Sequence, residues 1–168
     1  MTVAIDGNCA SGKSTLGRAL AEAYEGCLFH MDDFFLRPEQ RTPARFAEPG
    51  GNVDYERFYA EVLRPLKAGL PFSYRVFDCR TMALGETVTV TLKQLRIVEG
   101  AYSRHPSFGD PYDLRVFLRI DPERQEARIR ARNGDKMWQM FKSRWIPMEN
   151  AYFAAYGIAD TSDVVIEG

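Results

Sequence analysis

The sequence predicts an α/β fold in which helices cover both faces of a mainly parallel sheet. Three observations carry this. Short, nearly all-apolar runs recur along the chain, among them "TVAI", "RIV", "RVFL" and "DVVI". Between them lie segments whose apolar residues return every three or four positions. The first run also leads straight into a glycine-rich turn that opens a helix. Unipolar strands alternating with helices mean parallel strands buried on both sides.

Taken in order, "TVAID" reads as a buried strand and "GNCASGKST" as the turn after it. Leu16, Leu20 and Tyr24 recur at four-residue spacing, so a helix from Ser14 to Tyr24 is expected, stopped by Gly26. "CLFHM" reads as the second strand and leads into Asp32 and Asp33. "RPEQRTPARFAEPGGN" is rich in proline, glycine and charge, and reads as a long surface loop. From the N-cap Asp54, the residues Tyr55, Phe58, Tyr59, Val62, Leu63 and Leu66 trace one face of a helix that Pro65 should bend. "FSYRVF" and "TVTVTL" alternate as strands of a small antiparallel excursion. "LRIVEG" and "LRVFLRID" are further strands, the second followed by Asp121–Pro122, a capped helix start. A last helix over about 135–156 carries Met137, Phe141, Trp145, Met148 and Tyr152 on one side, with Pro147 as a kink. "DVVIEG" is the final strand.

Nothing divides the 168 residues, which read as one domain over 1–168. A net charge of −1 gives no reason to expect nucleic acid or an acidic membrane surface as partner. No apolar run is long enough to span a bilayer, and no basic-then-apolar leader precedes the first strand, so a cytoplasmic protein is expected. The three scattered cysteines, Cys9, Cys27 and Cys79, have neither disulfide-scaffold nor zinc spacing.

The turn matches G-x-x-x-x-G-K-[ST] with Gly7, Gly12, Lys13 and Ser14. A match arises by chance on the order of once in a couple of hundred chains of this length. Here it also sits between strand and helix, the context a phosphate-binding loop requires. Backbone amides of Gly7, Asn8, Cys9, Ala10, Ser11, Gly12, Lys13, Ser14 and Thr15 would cradle the phosphates of ATP. Lys13 would neutralise their oxygens and Ser14 would ligate Mg²⁺. The alternative is a glycine-rich turn that binds nothing. The D-x-x-G and N-K-x-D strings of GTPases are both missing.

Three further features suit phosphoryl transfer. Asp32–Asp33 end a strand where open α/β sheets place ligands, and at most one of the pair faces the phosphates; a helix cap or loop ion pair is the alternative. Glu99 ends "LRIVE" in position to hold Mg²⁺ through water, or else is a solvated strand-end acid. Arg124, Arg128 and Arg132 share one helix face without an acid among those positions, so they read as an anion clamp or as a solvated face. Gly134 would hinge a lid over about 124–146, to which Arg144 adds charge. His30 reads as structural, and His105 as a substrate contact or a loop residue. Met137 and Met140 read as core or lid packing.

With these residues in view, the chain resembles the uridine kinase-like group of P-loop kinases from end to end. "GNCASGKST", "HMDDFF", "GGNVDYERF", "IVEGAYSRHP", "DLRVFLRID" and "DVVIEG" fall in the same order. The resemblance implies a five-stranded parallel sheet in a three-layer P-loop fold, with ATP and Mg²⁺ as cofactors. It implies transfer of the γ-phosphoryl of ATP to a hydroxyl, the 5′-hydroxyl in nucleoside kinases. It assigns Asp32 as base, Asp54 as a ribose contact and Asp78 as a further acceptor contact. The expected catalytic set is Asp32, Lys13, Arg128 and Arg132. The expected acceptor pocket is Asp54, Tyr74, Asp78, Tyr102 and His105, for a nucleoside such as uridine. After Asp78 the chain reads "CRT" and departs from the base-contacting pattern of uridine kinases. Other acceptors stay open, among them nicotinamide riboside, pantothenate, a sugar or a sugar phosphate. So does a regulator that binds ATP without transferring it.

Overall fold

A computed structural model describes all residues, 1–168. Five strands form a wholly parallel sheet in the order β2-β5-β1-β6-β7: β1 (Thr2–Gly7), β2 (Cys27–His30), β5 (Arg96–Glu99), β6 (Leu114–Arg119) and β7 (Val164–Glu167). The remaining two, β3 (Phe72–Asp78) and β4 (Ala83–Val90), pair as a separate antiparallel hairpin. The sheet is therefore five-stranded and parallel, and the excursion is the small antiparallel unit expected.

Alternation along β1 sets the two cores. Val3 and Ile5 point to one face, where Ile97, Val116 and Leu118 join Leu16 and Leu20 of α1 (Lys13–Ala23). Ala4 points to the other, where Phe29, Phe34, Phe58, Val62, Tyr74 and Tyr152 build the larger core. Helix α1 stops one residue sooner than the spacing predicts. Tyr24 is its C-cap and is exposed rather than packed on the sheet.

Strand β2 ends at His30, not Met31, and Met31–Phe34 wind into a 3₁₀ turn. The predicted surface loop after it contains a 3₁₀ turn at Pro38–Gln40 and the short helix α2 (Pro43–Ala47). That helix is capped by Thr42, whose Oγ1 accepts the Arg45 N–H at 3.1 Å.

Both predicted proline bends take one form. The helix after Asp54 runs as α3 (Tyr55–Phe58), a π-turn over Tyr59–Leu63, and α4 (Arg64–Ala68), with Pro65 just past the π-turn. The last stretch runs as α5 (Pro122–Met140), a π-turn over Phe141–Trp145, and α6 (Ile146–Tyr156), with Pro147 just past it. A proline has no N–H to donate, and each ladder slips to a wider register one turn ahead of the gap. The 135–156 helix is thus two helices and a π-turn, and α5 is broken at Gly134, whose φ is 79° and ψ is 168°.

Candidate active site

The C-terminal ends of β2, β5 and β1 lie side by side, so sheet topology alone gathers Asp32, Glu99 and the glycine turn. Register makes this concrete: Glu99 stands opposite Ile5 on one side and His30 on the other. In open parallel sheets this edge is where ligands bind.

The turn from Gly7 to Thr15 is braced from below. Gly7 has a φ of 134°, and a Cβ there would sit 2.1 Å from the Leu118 carbonyl, so only glycine lets β1 pass so close to β6. Lys13 Nζ donates to the carbonyls of Gly7 at 2.8 Å and Asn8 at 2.6 Å, which holds the ammonium inside the loop. Gly12, φ 102°, begins α1 without a side-chain cap, and the N–H groups of Gly12, Lys13 and Ser14 have no acceptor within the protein. Converging amides at a helix N-terminus are an anion nest. Ser11 Oγ is buried there without a hydrogen-bond partner.

The turn opens into a cleft of about 1300 Å³. Its walls include Cys9 to Thr15 of the turn, Asp32, Glu99, Tyr102, and Arg128, Arg132 and Arg144 from the far side. Asp32 is open to the cleft yet surrounded by protein. Loss of bulk water, and next the charge of Glu99, raise its pKa above the ordinary carboxylate value, while Lys13 pulls it down. Asp33 turns away and accepts the Tyr74 hydroxyl at 3.2 Å. One acid of the pair thus lines the cleft, as expected, but the two diverge on a 3₁₀ turn and not on an extended strand end.

Arg128 Nη1 donates to the Ala10 carbonyl at 3.1 Å, which lays this side chain over the turn. Arg132 Nε bonds the Asn133 side chain. Arg124 pairs instead with the helix cap Asp121 at 3.8 Å and does not line the cleft. Met137 and Met140, expected as packing, are exposed and line the cleft.

Four of the residues expected around the acceptor lie outside the cleft lining. Asp54 is buried. Its Oδ1 caps α3 by accepting the Arg57 N–H at 3.1 Å, and its Oδ2 lies 3.6 and 3.7 Å from Arg37 and Arg57. Tyr74 is packed in the larger core behind Asp33. Asp78 folds onto Arg80, which lowers its pKa through the backbone N–H and then the side chain. His105 is buried, stacked on Tyr55 with ring centroids 4.1 Å apart. Burial, and next the charge of Arg45, lower its pKa to about 4, so the ring is neutral. Tyr102 does line the cleft; its φ is 74° and its buried hydroxyl has no partner.

Several members of the site carry no sequence signal. His30, read as structural, bonds Glu99 Oε1 through Nδ1, and that bond is the main cause of its raised pKa. Glu149 on α6 sends Oε2 to the Cys9 N–H at 2.9 Å; burial raises its pKa to about 7, against the pull of Lys13. Asp6 is fully buried and accepts from Gly7 N, Arg104 N and the Tyr152 hydroxyl, so it ties the turn to the loop after β5 and to α6. Asn52, Arg41, Cys79 and Met82 also line the cleft, and Cys79 lies within reach of the charges of Arg41 and Asp32.

These features define the class: a P-loop α/β fold with an acid-lined cleft under an arginine-bearing helical segment. Solved structures share the architecture across nearly the whole chain. A possible uridine kinase from Bacillus stearothermophilus is 23% identical, with a TM-score of 0.75 over 99% of this chain and 88% of that one. A candidate fructose transport system kinase from a Silicibacter species is 21% identical, with a TM-score of 0.69 over 99% and 89%. D-glycerate 3-kinase from Cryptococcus neoformans is 17% identical, with a TM-score of 0.66 over 99% and 86%. The fold is that of P-loop kinases. No protein-family model and no curated protein matches the sequence.

Proposed function

We propose that the protein is an ATP-dependent kinase that moves the γ-phosphoryl group to a hydroxyl of a small metabolite. One observation carries the reading: a single cleft sets the free amides of the turn and Lys13 beside Asp32, with Arg128 and Arg132 opposite. A protein that only sensed ATP would have no use for a cleft-facing carboxylate at that place.

The turn's amides and Lys13 hold the β- and γ-phosphates. Asp32 takes the proton of the acceptor hydroxyl. The freed oxygen bonds to the γ-phosphorus as the bridging bond to the β-phosphate breaks, leaving a phosphate monoester and ADP. Arg128 and Arg132 stabilise charge on the transferring group. No cluster of three or more His, Cys, Asp or Glu side chains could hold a metal by itself. That donor set fits Mg²⁺ arriving with the nucleotide, held by the Ser14 hydroxyl and, through water, by Glu99. Glu99 has one oxygen fixed by His30 and the other without a hydrogen bond in the protein. Bound there, the ion would neutralise phosphate charge.

A nucleoside such as uridine is the finer form of the reading, supported by the order of the sequence motifs and by the fold of the possible uridine kinase. The acceptor contacts it calls for, Asp54, Tyr74, Asp78 and His105, are spent on caps, core and ion pairs. Acceptor-dependent ADP release, measured over a panel of nucleosides, sugars, sugar phosphates and hydroxy acids, tests the kinase reading. One acceptor that raises ADP release well above the ATPase background supports it. Tight ATP binding with no acceptor effect from any class returns the protein to the sensor reading.

A further inference from the structure

Outside the cleft, Arg75, Arg96 and Arg104 are held by backbone carbonyls or hydroxyls, and most other arginines there are held by acids. Those outside the cleft at positions 37, 45, 57, 115 and 130 are each paired with a carboxylate. Those that line it, Arg18, Arg41, Arg128, Arg132 and Arg144, have no carboxylate within 4.0 Å. All five are exposed and solvated, so their use is decided by what else lines the cleft beside them; the proposed triphosphate would occupy those over the turn. Arg41 is elsewhere.

Arg41 follows the 3₁₀ turn at Pro38–Gln40 and lines the cleft, and Cys79, another lining residue, lies within reach of the charges of both Arg41 and Asp32. Its Nε donates to the Leu36 carbonyl at 2.9 Å, which fixes the stem and leaves both Nη groups without a protein partner. The acids of its own segment are already engaged. Glu39 is on Arg37, Glu48 and Glu56 are on Arg45, and Asp54 lies between Arg37 and Arg57. Arg144, which also lines the cleft, stacks over Phe46 of α2, its guanidinium carbon 4.6 Å from the ring centroid, so the helical segment reaches the helix that starts two residues after Arg41. The buried Tyr102 hydroxyl is a further unused donor in the same cleft.

We infer that the acceptor is itself an anion, a hydroxy compound bearing a carboxylate or a phosphate ester, and that Arg41, joined by Arg144, recognises that group. A guanidinium with a fixed stem and two free Nη groups matches the paired oxygens of either anion. This rests on the kinase reading and narrows it, since a neutral nucleoside gives Arg41 only neutral acceptors and no charge-assisted pair.

The test uses matched acceptors at saturating MgATP: a three-carbon hydroxy acid and its amide, a pentose phosphate and the free pentose, and uridine. The acidic member of at least one pair should turn over with a KM about 10- to 100-fold below its neutral partner, and the two pairs distinguish carboxylate from phosphate. Arg41→Gln should raise that KM by about 10- to 100-fold, the loss expected for a charge-assisted pair, with ATP affinity unchanged. Arg41→Lys should recover part of it. Equal use of neutral and acidic members, preference for uridine, or an unmoved KM in Arg41→Gln overturns the inference. Should no compound release ADP, the kinase reading itself falls, and calorimetry decides the anion site alone. Binding of the hydroxy acid or pentose phosphate in the presence of an unreactive ATP analogue, lost in Arg41→Gln, upholds it; no binding overturns it.

Discussion

Asp32 is the residue on which the proposed chemistry turns. Its raised pKa and its place beside Lys13 and Glu99 suit a base that must accept a proton near neutrality. Asp32→Asn should leave ATP affinity near that of the wild type and cut turnover by roughly 10²–10⁴. Calorimetry for the first and acceptor-dependent ADP release for the second check it. Glu149 makes a different prediction. Its pKa stands at about 7 against an ordinary 4.5, so the folded protein keeps a proton that the unfolded chain gives up between those values. Stability from this group is therefore lost as pH rises through that window, by on the order of 3 kcal/mol at most. Glu149→Gln keeps an acceptor for the Cys9 N–H and should melt higher than the wild type at pH 8, the two converging at pH 4. A constant difference across pH would contradict the assignment. Lys13 is legible because it belongs to the glycine motif, and Asp32 and Glu99 because they stand just after or at the end of an apolar run. Glu149 is not, because its partner Cys9 lies 140 residues away and only the packing of α6 joins them.

Among the elements, the two proline-linked π-turns show where pattern reading reaches its limit. Apolar spacing puts Tyr55, Phe58, Tyr59, Val62, Leu63 and Leu66 on one face; the structure buries Phe58, Val62, Leu63 and Leu66, half-buries Tyr55 and leaves Tyr59 exposed. What spacing does not carry is how a helix absorbs a missing N–H, since a kink and a π-turn leave the same apolar stripe. The arginine row is legible in part for a similar reason. Periodicity puts Arg124, Arg128 and Arg132 on one face, but the cap Asp121 takes the first of them. Gly134 breaks the α5 ladder at a φ and ψ that glycine alone adopts readily, with open space where a Cβ would point. Gly134→Ala should thus disfavour the broken form by about 1–3 kcal/mol through backbone strain and not through a clash. If the break lets the segment close over the cleft, kcat and KM should both move several-fold, alongside a Tm loss of roughly 2–12 °C. Unaltered kinetics would make the break a passive feature.

At the scale of the molecule, the sheet order explains why so much converges on one edge. Parallel strands β2, β5 and β1 point the same way, so residues far apart in sequence end side by side. The alternation of apolar runs and helical periods is enough to read this architecture. The lining contributed by Arg41, Asn52, Cys79 and Met82 is not legible from it, because these residues come from turns whose course no period describes. A ligand that binds only the folded chain stabilises it, by about 2.7 kcal/mol at a concentration of 100 Kd. For a chain of this size that is a rise in Tm of roughly 5–11 °C with MgATP, abolished in Lys13→Ala. The most direct measurement follows γ-labelled phosphate from ATP in a single turnover, with the acceptor found by the panel, in the wild type and in Asp32→Asn. The label should appear on the acceptor hydroxyl with the wild type and stay on ATP with the variant. Label released as inorganic phosphate with both, or transferred equally fast by both, would contradict the account.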